Sequence, residues 1–400
     1  MMRVSSKSIQ MQWLATIVQQ QSRLAQLQEQ ISSGKRINSA IDDPIGAAQI
    51  TNFQQGLSRL ESYARNSDAA ERRLRLEETS LDQATDILNR VRDIALQAGG
   101  VAGTSQQDRS ALASEVRSLQ DSMLNVANSQ DGEGRYLFAG NKANTRPFEK
   151  LYDVFVYAGD QGVRSQLIAD DRLIQEGDSG SYVFQQIRDG NGLYSVEANP
   201  ANTGEMSFVN ASILDASVWP VQDFTIRFFD SDTYELLDST GDPITGPTTY
   251  QTDSVISFNG AVISFQGIPA GGDQFDVNSS RNKNVFETLQ QLIDTLERPA
   301  TSPTERAIYQ SELNASLLNL DQSLEHMNQV RSQVGSRLNI IDRQRSVNEE
   351  VSFQIETSLS KVQDLDYAAA ISELELRLLG LEAAQRAFAQ TQKSSLFEYL

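Results

Sequence analysis

Apolar residues at both ends of this chain recur every seven positions, and that spacing constrains the fold more than any other feature of the sequence. Near the start, Ile17, Leu24 and Ile31 repeat at seven, while Trp13 and Leu27 hold the alternate position with Gln20 between them. Near the end, Leu374, Leu381 and Phe388 form one register and Ile371 and Leu378 the other. Such a narrow stripe covers one seam of a helix, not the broad face that enters a globular core, so helices carrying it pair with similar helices. Two chain ends with matching stripes most simply pair with each other and with those of neighbouring copies. The chain then finishes on Leu396, Phe397, Tyr399 and Leu400, an apolar tip.

Between these ends the sequence is nested. Ser33-Gly34 stops the first helix, since Gly suits the position after a helix C-terminus. Asp42-Asp43-Pro44 starts another, with Asp as N-cap and Pro in the first turn. Its seam runs through Leu60, Leu74, Leu81 and Leu88 to Gly99-Gly100. A third helix follows from about Ser105. Beyond Asp131 the texture changes to short β-rich runs punctuated by turns, of which Asn259-Gly260 is the strongest hairpin signal. Helix returns near Asn284, and from Thr304 a very long helix carries a seam through Leu320, Met327, Val334 and Ile341, with polar interruptions at Arg331, Arg345 and Asn348.

The expected fold is mainly α with a β insert: a nested antiparallel bundle of long helices, or coiled coil, drawn from both chain ends and carrying a central antiparallel β domain. Five segments follow: 1–43, a coiled-coil helix and loop; 44–141, one half of a helical rod; 142–283, the β-rich outer domain; 284–363, the other half of the rod; and 364–400, the closing coiled-coil helix.

Charge and composition narrow the function. The formal net charge is −19, which leaves no basic face for nucleic acid. The acidity concentrates in residues 151–283, with 19 Asp and Glu against 6 Lys and Arg, whereas residues 1–40 hold five cations and one anion. There is no cysteine and a single histidine, so thiolate sites and the usual zinc sites are excluded. His326 reads as an ordinary helix-surface residue. Gly177-Asp178-Ser179-Gly180 falls short of a nucleophile elbow, and Asp230 with Asp232 lacks the rest of a calcium loop. No catalytic constellation, cofactor site or metal site is expected, and the chain does not read as an enzyme. No stretch approaches a membrane span, and the first residues do not read as a cleaved leader.

Several segments resemble the flagellin family. Ile31-Ser32-Ser33-Gly34-Lys35-Arg36-Ile37-Asn38-Ser39-Ala40, followed by Asp42-Asp43-Pro44-Ile45-Gly46-Ala47-Ala48, is similar to the loop and helix start that flagellins share, so Gly34, Arg36, Asn38, Asp42 and Asp43 are candidate loop residues. Asp364-Leu365-Asp366-Tyr367-Ala368-Ala369-Ala370-Ile371 and Ala383-Ala384-Gln385-Arg386-Ala387-Phe388 match the other end. Gly134-Arg135-Tyr136-Leu137-Phe138-Ala139-Gly140, Gly267-Ile268-Pro269-Ala270-Gly271-Gly272-Asp273 and the ending Ser394-Ser395-Leu396-Phe397-Glu398-Tyr399-Leu400 resemble the hook-associated members more than the filament subunit. Glu398 stands where Asp is expected.

What the resemblance implies is a secreted structural subunit of the bacterial flagellum. It would pass through type III export without cleavage and sit extracellularly where hook meets filament. Its partners would be further copies of itself in a ring, a neighbouring hook-associated protein, flagellin, and an export chaperone on the C-terminal helix, with no nucleic acid and no membrane insertion. The alternatives are a filament flagellin, which would form long polymers from purified protein, and an adhesin displayed by the β insert, which would bind ligand through residues 142–283 alone.

Overall fold

The computed structural model describes the backbone of residues 6–100, 105–152 and 154–397, and side chains between residues 11 and 390 of these. It divides into two compact units, one built from residues 1–65 and 344–400, the other from residues 66–343. Two long helices contribute to both.

The first unit is helical. Helix α1 (Ser6–Ser33) ends where Gly34 takes a left-handed φ of 72° and donates its N–H to the Gln30 carbonyl at 2.9 Å. Helix α2 (Pro44–Gly99) begins behind Asp43, whose Oδ1 accepts from the N–H groups of Ile45 and Gly46 at 3.2 and 3.0 Å. Asp43 is thus the N-cap and Pro44 the first helical residue, where its missing N–H costs nothing. Only the first part of α2, to residue 65, belongs here. The end of α6 (Pro303–Gln363) and α7 (Tyr367–Phe397) complete the unit.

The second unit holds a helical core and a β core. Helix α3 (Gln106–Ala127) opens with a reciprocal capping box between Ser105 and Asp108. Helix α5 (Val285–Glu297) is capped by Asn284, which accepts from the Phe286 N–H at 3.0 Å. Buried residues of α2, α3, α5 and α6 form one hydrophobic cluster, which includes Leu74, Leu81, Leu88, Leu320, Met327, Val334 and Ile341, all fully buried.

All strand pairing is antiparallel. Strands β1 (Phe148–Leu151) and β2 (Val154–Tyr157) form one hairpin, and β3 (Ser165–Ala169) and β4 (Arg172–Gln175) another. The short helix α4 (Gly180–Gln185) follows. Strand β5 (Ile187–Arg188) pairs with β14 (Asn282–Lys283), so the chain leaves and re-enters the helical core side by side. Between them lie a five-stranded sheet and a three-stranded sheet. The larger has the order β10 (Thr248–Thr249), β9 (Thr233–Asp238), β8 (Phe224–Phe228), β13 (Gln274–Ser279), β6 (Tyr194–Ala198). The smaller has the order β11 (Val255–Phe258), β12 (Ala261–Gln266), β7 (Ser207–Ile213). Asn259 and Gly260, at φ 45° and 78°, make the tight turn between β11 and β12, as the dipeptide predicts.

The sequence treats 142–283 as one β region, but its packing is divided. Phe148, Phe155, Ile168, Ile174, Val183 and Phe184 join the helical cluster, with Phe155 stacked on Phe286 of α5 at 4.5 Å between ring centres. Residues from Tyr194 to Val277 build a separate core around Trp219, Phe224, Phe228 and Phe275. That core docks on α6 through hydrogen bonds: Ser311 Oγ accepts from the Phe208 N–H at 2.9 Å, and Asn314 donates to the Phe208 carbonyl at 2.8 Å.

Candidate assembly site

The loop that follows α1 and the start of α7 form a clasp within the first unit. Gly34 and its neighbours meet residues 362–367 in a short antiparallel bridge between Lys35 and Asp364. The Arg36 N–H donates to the Gln363 carbonyl at 2.7 Å, and the Leu365 N–H donates to the Gly34 carbonyl at 3.0 Å. The Arg36 guanidinium adds a bond to the Val362 carbonyl at 2.8 Å. This explains a glycine beyond helix capping: a Cβ on Gly34 would stand 2.8 Å from the Tyr367 hydroxyl, in a backbone region that already disfavours one. Asn38 contributes its N–H to Asp42 at 3.1 Å, as does Ser39 at 2.9 Å, and Gln26 of α1 donates to the other Asp42 oxygen at 2.8 Å. The Ser39 N–H, ahead of the other donors, holds the Asp42 carboxyl below its ordinary value of 3.8. Arg36 also stands 3.8 Å from Asp43. The five loop residues named from sequence therefore converge on one structure.

Beside the clasp, α1 and α7 lie against each other as an antiparallel pair. On α1 the shielded stripe is Ile17, Leu24, Leu27 and Ile31, with Gln20 between; Ile17 and Leu27 are buried and Trp13 sits at its exposed end. On α7 the shielded stripe runs through Ala370, Leu374, Arg377, Leu381, Ala384 and Phe388. Leu374, Leu381 and Phe388 are thus on it. Ile371 and Leu378 are not: they lie beside it, with Leu376 and Leu379 further round, and all four are 44–70% exposed. Ala370, one residue before Ile371, takes the inward place. The reason is compositional, because leucines surround α7 and offer two adjacent seven-residue registers. Leu60 is half-buried in the same unit. Helix α7 reaches Phe397, but the side chains of Leu396 and Phe397, and Leu400 altogether, lie outside the described residues.

The second unit contains a buried charged cluster that no spacing announces. Glu77 of α2 is 2% exposed; its Oε1 accepts from the Asp178 N–H at 3.1 Å and its Oε2 has no hydrogen-bond partner. Arg337 of α6 donates through both terminal nitrogens to Asp178 at 2.8 and 2.9 Å. Arg73, one turn before Glu77, reaches Asp131 at 3.3 Å and the Tyr136 carbonyl at 3.0 Å. Burial first, and then the Asp178 charge, push the Glu77 carboxyl up to about 8.

Ser179 is the N-cap of α4, and Asp178 is locked on Arg337. His326 is not a surface residue: it is half-buried, its ring nitrogen lies 2.9 Å from the Tyr182 carbonyl, and burial lowers its basicity. Asp230 accepts from the Asp232 N–H at 2.9 Å within a turn. None of these groups faces another that could make a reaction centre.

These two helical ends also match known families. Residues 4–143 match the bacterial flagellin N-terminal helical region, and residues 317–400 match the bacterial flagellin C-terminal helical region. The chain belongs to the flagellin family. Within it, similar solved structures include FlgL of Xanthomonas campestris (34% identity, 77% of this chain, 99% of that one, TM-score 0.71) and flagellar hook-associated protein 3 of Legionella pneumophila (30%, 78% and 98%, TM-score 0.75). Flagellar hook-associated protein 3 of Escherichia coli is 26% identical over 399 residues, 99% of each chain. A second Legionella structure of FlgL carries the description flagellar junction protein, with 30% identity and a TM-score of 0.71. No helix among the described residues is long and apolar enough to cross a membrane.

Proposed function

We propose that this chain is a structural adaptor of the bacterial flagellum, holding the filament to the hook. One side would meet another hook-associated protein and the other flagellin, with further copies of the chain alongside. The observation that carries this reading is the state of α7: one stripe is shielded, while Ile371, Leu376, Leu378 and Leu379 remain open to solvent. A helix apolar on several faces needs covering on several faces, and a single chain supplies only one cover. The same surface is a hazard before assembly, which fits capture of the C-terminal helix by an export chaperone in the cell. Final placement would be extracellular, where hook and filament meet. No catalytic role is assigned.

Leu378→Asp tests this directly. The substitution puts a charge on the open face of α7 without touching either hydrophobic cluster of the second unit. Cells carrying it are expected to lose their filaments, through failed chaperone capture or failed attachment, while the purified variant keeps wild-type circular dichroism and melting of its main transition. Stable filaments in those cells would defeat the reading.

A further inference from the structure

A cleft of about 690 Å³ opens in the second unit between α2, the turn after α3 and the β3–β4 hairpin. Ala69, Arg72, Arg73 and Leu76 reach it from one face of α2, at spacings of three and four residues. The turn adds Arg135, and the residue before β3 adds Arg164. Four arginines thus share one opening in a chain whose net charge is −19. Its volume is that of a site for a small molecule.

The carboxylates of the cleft do not use up these cations. Asp131 accepts from Arg135 at 3.0 Å and from Arg73 at 3.3 Å. Glu176 pairs with Arg164 Nε at 2.9 Å, and its other oxygen accepts from Gln166 at 3.0 Å. Glu133 pairs with Arg135 at 3.0 Å on the exposed rim. Each carboxylate is engaged, yet two guanidiniums have donors to spare. Arg72 is exposed and has no hydrogen-bond or ion-pair partner among the described residues. Arg164 Nη2 is shut off from solvent and has no acceptor among them. Burial first, and then the Arg164 charge, work against the Arg73 cation. An anion in the cleft relieves this crowding of like charge and supplies acceptors for the spare donors.

Charge and shape narrow the class of anion. Four arginines against three carboxylates leave one positive charge, which suits a monoanion, while the carboxylates repel a second negative charge. The guanidinium fork matches a planar carboxylate through paired hydrogen bonds. Leu76, 40% exposed, and Ala69 give the cleft an apolar wall for a hydrocarbon stem. We infer that this cleft is a binding site for a small organic monocarboxylate with an apolar tail, and that Arg72 holds the carboxylate. The site lies wholly within residues 66–343 and does not rest on the adaptor reading.

Titration calorimetry on the purified full-length chain at low salt tests this, with acetate, hexanoate, hexanol and succinate as probes. Hexanoate is expected to bind at one site, about tenfold or more tighter than acetate, since burying two of its extra methylenes is worth about that much. Succinate is expected to bind no more tightly than acetate. Arg72→Gln is expected to weaken hexanoate about tenfold or more, with unchanged melting, because Arg72 makes no bond within the described fold. Arg59→Gln, on the exposed surface of α2 outside the cleft, is expected to bind as the wild type does. Absence of saturable hexanoate binding would overturn the inference. So would hexanol binding as tightly as hexanoate, succinate binding more tightly than hexanoate, or Arg72→Gln binding as well as the wild type. An equal loss in Arg59→Gln would show diffuse attraction to surface charge and overturn it too.

Discussion

Glu77 shows how much a single buried carboxyl can govern. Desolvation outweighs its attraction to Arg337 and Arg73, so it is protonated in the folded chain at neutral pH, with a carboxyl pushed up to about 8. In the unfolded chain it ionises near 4.5. Its contribution is therefore complete below 4.5 and is lost as pH rises through about 8, at a slope approaching 1.4 kcal/mol per pH unit within that window. Glu77→Gln is expected to flatten this slope, leaving stability near pH 4.5 little changed and raising it at pH 8; denaturant titrations at several pH values measure it. A variant with the wild-type slope would place the titrating group elsewhere. Asp42 behaves oppositely: its carboxyl lies below 3.8, so its share of the clasp is present above that value and goes only in stronger acid. Nothing in the sequence around Glu77 marks it, because its partners Asp178 and Arg337 are remote along the chain and follow no common spacing. The loop residues were readable because their partners are close in sequence or belong to a contiguous family pattern.

At the scale of elements, caps and turns were the most readable features. Asp43-Pro44, Ser105, Asn284 and Asn259-Gly260 each stand where local backbone chemistry demands those residue types. Asn284 does more than cap, being 6% exposed at the point where the chain returns from the β core to α5. Asn284→Ala removes the acceptor for the Phe286 N–H and should cost about 1–2 kcal/mol, measured as a lowered midpoint in urea with unchanged slope. The register of α1 was also readable, since its apolar residues form one dominant stripe. In α7 it was not, because leucines occupy neighbouring stripes and periodicity alone cannot choose which of them faces α1. The split of the β region into two cores was hidden for a different reason. Phe148 and Phe155 have the same alternating surroundings as strand residues of the second core, and only their tertiary contact with Phe286 assigns them to the helices.

For the molecule as a whole, the two units differ in how much apolar surface they bury. The unit of residues 66–343 contains both large hydrophobic clusters. The unit of residues 1–65 and 344–400 buries few large side chains, among them Ile17, Leu27, Ile37 and Ile50. Regions with few buried contacts open at low free energy, and paired helices with one narrow seam are marginal alone. Amide exchange on dilute monomer is expected to be fast across residues 11–32 and 368–390 and slow in the helical core around Leu81 and Leu320. Strong protection of residues 11–32 in the monomer would show that the pair is stable without neighbours.

The clasp has a consequence for the order in which the molecule can be finished. The Arg36 guanidinium finds its carbonyl 326 residues later, at Val362. A polypeptide delivered N-terminus first presents the earliest helix long before the segment that secures it has arrived. Closure of this clasp between first and last must wait for nearly the full length, so a chain cut short before Val362 lacks the latch by construction.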